Sequence, residues 1–315
     1  MARMEILVRG AFTMWGCLSV VMLLSAFTAL AQQPRPQPPA PDYANVRYGP
    51  HERNVLDVWL AKSATPAPLV IYYHGGGFRG GDKRTLNLEL LEKLRANGIS
   101  VAAAHYRLSN VAPYPAPMLD CARALQFLRL NSAQYNIDPA RVGAFGGSAG
   151  AGISQWIAYH DDLADAANAD PVLRQSTRLS AVAPFNAQSS YDPRFIKKLM
   201  NTDQVHPALV AFFGMSSPAD AGDARFFPLF EDSSPINFLT ADDPSILVFF
   251  SQRNDPLPAN SSGEEHIHHP KFGVVLKEKA DRLGVECTLI MREDHPEGFP
   301  VDRFVEFFRT KLSGR

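Results

Sequence analysis

The chain has 315 residues, 46% of them hydrophobic and 20% charged, an ordinary composition for a globular protein of one large domain or two small ones. Its formal net charge of -1 gives no electrostatic pull toward nucleic acid or anionic membranes. The sequence contains neither an internal repeat nor a zinc-type cysteine spacing.

In chain order, Arg3 and Arg9 precede an apolar run from about Ala11 to Leu30, closed by Ala29-Leu30-Ala31. This is the pattern of a secretory signal, so 1–31 is predicted to be a signal peptide and the mature protein to be exported, periplasmic or secreted. An uncleaved anchor is the alternative, because Met14 to Leu30 is near the lower length of a membrane-spanning helix. The polar Gln32-Gln33 after the small residues favours cleavage, which leaves no membrane insertion. Cys17 lies inside the apolar run. Cys121 and Cys287 sit in apolar settings and read as buried free thiols, although an exported protein could pair them.

Residues 32–42 are proline-rich and read as a linker, and 43–315 as the folded domain. Strands are predicted at Val55–Leu60, Leu69–Tyr73, Ser100–Ala104, Arg141–Phe145, Leu179–Ala183, Ser245–Phe250 and Glu286–Met291. Helices are predicted at Leu86–Asn97, Met118–Tyr135, Ala149–Tyr159, Lys271–Leu283 and Val301–Leu312. Such alternation implies an α/β fold with a mostly parallel sheet and helices on both faces. Residues 186–243 hold no clear strand and many aromatic and proline residues, and read as a small cap-like insertion of short helices over the active site.

Two motifs carry chemistry. Gly146-Gly147-Ser148-Ala149-Gly150 puts a serine between glycines on a strand-to-helix turn, the nucleophile-elbow pattern. His74-Gly75-Gly76-Gly77 follows the strand 69–73, and its glycines let backbone N–H groups approach a substrate carbonyl. Ser148 is therefore the expected nucleophile, and Gly76, Gly77 and Ala149 the expected oxyanion hole; His74 reads as a loop-fixing residue. The acid and base should follow in the order Ser, Asp, His. Active-site groups of open α/β sheets gather at the carboxyl ends of strands, so Asp255 is the expected acid and His295 the expected base. His266, His268 and His269 match no standard metal-ligand spacing and read as a solvated loop.

With these residues in place, the chain resembles carboxylesterases that carry the His-Gly-Gly-Gly motif, with a hormone-sensitive-lipase-like oxyanion segment. The string 74–83 (His-Gly-Gly-Gly-Phe-Arg-Gly-Gly-Asp-Lys) is closest to the feruloyl- and acetyl-esterase-like and kynurenine-formamidase-like branch. Tyr106-Arg107-Leu108, Tyr114-Pro115-Ala116-Pro117, Asp120 and Ile137-Asp138-Pro139 resemble it too. The resemblance spans about 47–312. It implies an α/β-hydrolase fold, no cofactor, and structural roles for Asp82 and Arg107. Departures are Ala151 in place of a glycine, a longer His-rich segment before Lys271, and Asp294-His295-Pro296 in place of a glycine-rich histidine loop. The expected activity is hydrolysis of short-chain acyl esters, acetyl or feruloyl esters on polysaccharides among them, through a Ser-His-Asp acyl-enzyme. A small-molecule or polysaccharide-linked ester would be the substrate. An amidase or formamidase with the same triad, or a non-catalytic binding protein on the same scaffold, remain alternatives.

Overall fold

Residues 38–314 are described by a computed structural model; the predicted signal peptide lies outside the described residues. The elements run β1 Tyr43–Arg47, β2 Val55–Trp59, β3 Ala67–Tyr73, α1 Leu88–Ala96, β4 Ser100–Ala104, α2 Ala116–Leu130, β5 Ile137–Gly147, α3 Ala149–Tyr159 and β6 Ala181–Phe185. They continue with α4 Pro193–Met200, α5 Pro207–Phe213, α6 Phe227–Ser233, β7 Ser245–Phe249, α7 Gly263–His266, α8 Lys271–Leu283, β8 Cys287–Ile290 and α9 Val301–Lys311. The strands form one sheet in the order β1-β2-β4-β3-β5-β6-β7-β8. β1 and β2 are antiparallel, and the remaining six are parallel. This is the α/β-hydrolase architecture.

Strand periodicity sorts the core into two layers. Leu69, Ile71 and Tyr73 of β3 face one side, where α2, α3 and α8 contribute Leu125, Ile153 and Phe272. Val70 and Tyr72 face the other, against Leu90 and Leu94 of α1 and Phe304 and Phe308 of α9. Both faces are covered, so the central strands are apolar throughout rather than alternating. Cys121 and Cys287 are free and buried.

Boundaries move where side chains intervene. α2 stops at Leu130 rather than Tyr135, because the Asn131 side-chain amide donates to the Phe127 carbonyl at 2.8 Å and ends the helix. β1 has no counterpart among the predicted strands: its register is broken between Tyr43 and Val46, and Asn45 sits at φ 51°. The Asn45 amide instead donates to an Asp57 carboxylate oxygen at 2.7 Å. Residues 186–243 form α4, α5 and α6 with intervening 3-10 turns.

The β5–α3 turn packs hard against β3. A Cβ on Gly150 would stand 1.9 Å from the Tyr73 carbonyl oxygen, which β3 cannot yield. Gly150→Ala is expected to lower the melting temperature by about 5 °C or more, the effect of overpacking by roughly 2 kcal/mol. An unchanged melting temperature would contradict this packing.

Candidate active site

Ser148 stands at the carboxyl end of β5 with φ 52° and ψ -118°, backbone a non-glycine residue adopts only under constraint. The constraint comes from both sides. Its amide donates to the Phe185 carbonyl of β6 at 3.1 Å, and its carbonyl accepts from Gly152 at 3.0 Å, opening α3. Ala149 is the first residue of that helix, so its N–H has no intrahelical acceptor.

The glycine loop after β3 turns beside it. Gly76 and Gly77 take φ 113° and 58°, and the Gly76 carbonyl accepts from Arg79 and Gly80 at 3.0 and 3.2 Å. Among the described residues no backbone carbonyl accepts from the Gly76 or Gly77 amide. His74 is buried and stacks on Tyr106 with ring centroids 4.3 Å apart. A guanidinium can only donate, so the 3.3 Å contact from Arg53 makes His74 Nε2 the acceptor. His74 Nδ1–H then donates to the Gly75 carbonyl at 2.8 Å. Arg53 also binds the Tyr106 and Gly81 carbonyls at 2.8 and 3.3 Å, clamping both ends of the loop. His74 therefore fixes the loop. Asp82 caps the next turn through the Arg84 amide at 2.8 Å, and Arg107 pairs with Asp120 at 2.7 Å.

The histidine on the serine is His268: its Nε2 lies 2.8 Å from Ser148 Oγ. This corrects the expected geometry. His295 makes no hydrogen bond to Ser148 or Asp255; its Nδ1 lies 3.2 Å from a Glu297 carboxylate oxygen. Tight turns from Met291 to His295 hold it there, with Asp294 and His295 amides on the Met291 and Arg292 carbonyls at 3.1 and 3.2 Å. Asp255 is exposed, its carboxylate pairs with Arg253 at 3.1 Å, and it touches neither histidine ring through that group. Among the described residues no carboxylate lies within ion-pair distance of His268.

The His266–His269 segment is not a solvated loop. His266 and His269 are buried and His268 is half-buried. His269 Nδ1 accepts from Lys271 N at 3.2 Å, so its Nε2–H donates to the Asp255 carbonyl at 2.9 Å. Buried Gln188 donates to the Ile267 carbonyl at 2.6 Å. The two bonds hold His268 from both sides. A signal for this order stood in the sequence: Ser262 and Glu265 form a capping box, the mark of a helix start. Among the described residues no group of His, Cys, Asp and Glu side chains is arranged to hold a metal ion.

Ser148 opens into a cavity of about 360 Å3, where Gly76, Gly77, Ala149 and His268 also meet. Its apolar wall includes Tyr191, Leu209 and Ile267; Arg79, Gln188, His206 and Glu264 are its polar lining. Tyr191, His206 and Leu209 come from the 186–243 segment. His206 caps α5 by accepting from Ala208 N at 3.1 Å, and its Nε2 lies 3.3 Å from Glu264. Two larger hollows, of about 670 and 610 Å3, contain none of these residues.

Residues 56–266 match the BD-FAE family, and the chain belongs to it. The esterase LipQ of Mycobacterium tuberculosis (strain ATCC 25618 / H37Rv) is 28% identical over 234 residues, 70% of this chain and 50% of LipQ. The esterase LipC of the same organism is 25% identical over 239 residues, 69% of this chain and 52% of LipC. The chain thus spans about half the length of these curated relatives. A solved structure of a truncated carbohydrate esterase from gut microbiota aligns with a TM-score of 0.68 and 21% identity, over 89% of this chain and 100% of that one. Esterase 2 of Thermogutta terrifontis aligns with a TM-score of 0.59 and 19% identity, over 81% of this chain and 82% of that one. These likenesses show the α/β-hydrolase fold.

Burial lowers the pKa of His74 to about 4 and of His105 to about 3, with the Arg53 charge adding to both. Burial also lowers His160, His206, His266 and His268. Each stays neutral in the fold at pH values where the unfolded chain takes up a proton, so stability falls as pH drops below 6.5. Asp243, raised to about 6 by burial, opposes this as a single group. The melting temperature is expected to decline steadily from pH 6.5 to about 5. A flat or rising profile over that window would contradict the neutral, buried histidines.

Proposed function

We propose that this BD-FAE family member hydrolyses carboxylic esters of short acyl chains through an acyl-enzyme on Ser148, with His268 as general base. The observation that carries the reading is the 2.8 Å contact between His268 Nε2 and Ser148 Oγ beside two glycine amides with no backbone acceptor. His268 takes the proton as Ser148 Oγ attacks the ester carbonyl. The amides of Gly76, Gly77 and Ala149 receive the oxyanion. His268 then protonates the leaving alkoxide, and afterwards removes a proton from the water that releases the acid. Burial of the ring and the bonds to Ile267 and Asp255 hold the imidazole in the absence of a carboxylate on it. A cavity of about 360 Å3 suits a small acyl group. The names of LipQ and of the carbohydrate-esterase neighbour support an ester substrate, with saccharide esters as one class. The apolar start of the chain supports export, so this substrate would be met outside the cytoplasm.

The test is hydrolysis of p-nitrophenyl esters of increasing acyl length. Acetate and butyrate should turn over, longer chains more slowly, and Ser148→Ala should lose about 10^4-fold or more in kcat. No turnover of any ester by folded protein would overturn the reading.

The pH profile gives a second check. His268 must be neutral to accept the proton, and burial lowers its pKa from 6.5. The acid limb of kcat/KM should therefore be centred below pH 6.5, with full activity above it. A limb centred above 6.5 would exclude His268 as the base.

A further inference from the structure

The cavity over Ser148 holds a cation that the mechanism does not use. Arg79 lines it, is exposed, and makes no ion pair with any carboxylate among the described residues. Its place is set by the oxyanion loop. The Arg79 amide donates to the Gly76 carbonyl at 3.0 Å, so its Cα belongs to the same turn as Gly76 and Gly77. Phe78, between them, is buried at φ 59° and stacks on Phe212 at 4.1 Å, which fixes the direction in which the chain leaves the turn. The side chain leans over the loop: a Cβ built on Gly77 would lie 3.9 Å from Arg79 Nε. A planar donor fork thus stands close to Gly77. The carboxylate that shares the cavity, Glu264, is directed to His206 at 3.3 Å. The same cavity has an apolar wall of Tyr191, Leu209 and Ile267. A cavity with one apolar wall and, at its edge, a guanidinium that makes no ion pair among the described residues fits an ester substrate that carries a negative charge.

We propose that Arg79 is a specificity-determining residue, and that the site prefers esters carrying a carboxylate a few atoms from the reacting carbonyl; this rests on the reading of Ser148 as an ester-hydrolysing nucleophile. Two sources meet the requirement: half-esters of dicarboxylic acids, with the charge on the acyl side, and O-acylated hydroxy or sugar acids, with the charge on the alcohol side. Glu264 opposes the preference from the same cavity and limits its size.

Two matched pairs of substrates test this at low ionic strength. Monoethyl succinate against ethyl butyrate probes the acyl side, and 4-acetoxybenzoate against its methyl ester probes the alcohol side. In at least one pair the anionic ester should have the higher kcat/KM by about three- to five-fold, the scale of one exposed charge pair. The pair that shows it identifies the side. Arg79→Gln should bring that ratio to one or below, because Glu264 remains, and Glu264→Gln should raise it. The ratio is internal to each variant, so partial unfolding does not imitate the effect. Added salt at about 0.5 M should shrink it. Neutral esters hydrolysed as well as or better than both anionic partners, or a preference that survives Arg79→Gln, would overturn the inference. Failure to hydrolyse all four esters would instead overturn the ester-hydrolase reading.

Discussion

The site depends on the strained backbone of Ser148. A serine at φ 52° needs its neighbours to hold it there. Phe185 on one side and the first turn of α3 on the other supply that hold, and Gly150 lets α3 begin in contact with the Tyr73 carbonyl. Because β3 and β5 are adjacent and parallel, the same contact brings the glycine loop after β3 to the serine after β5. Arg53 and His74 then lock that loop from beneath. Ser148 and the glycine loop are thus one packed unit.

The histidine reaches this unit by a separate route. It comes from the short segment between α7 and α8, after β7, rather than from the loop after β8. That segment is held by Gln188, which belongs to the stretch following β6, and by the Asp255 backbone. Asp255 thus has a role in placing His268, but through its carbonyl and by way of His269. Its carboxylate is turned to Arg253. In the proposed mechanism a base held by packing rather than by a carboxylate gains less stabilisation of its imidazolium, and burial lowers the pKa of His268 in the same sense.

What the sequence made legible follows the range of the interactions. Strands β2 to β8 and helices α1, α3, α8 and α9 came from apolar runs and glycine stops, which act within a few residues. Ser148 and the 74–77 loop were readable because glycine there answers a local backbone demand. β1 was not, since its order comes from a bulged pairing with β2 and from the Asp57 carboxylate. His268 was hidden for a related reason: three histidines stand within four residues, and only tertiary packing distinguishes them. His295 occupied the place that strand topology favours, yet tight backbone turns fix its segment and its ring makes no hydrogen bond to Ser148. Its departure from a glycine-rich loop was the visible sign of that difference.

The central claim is that His268, not His295, takes the proton from Ser148. The most direct measurement is kcat for p-nitrophenyl acetate in His268→Gln and His295→Gln, each checked for folding by its melting temperature. The account predicts a loss of about 10^4-fold or more in His268→Gln and a change of less than about ten-fold in His295→Gln. The reverse pattern, in folded proteins, would contradict it and return the base to the loop after β8.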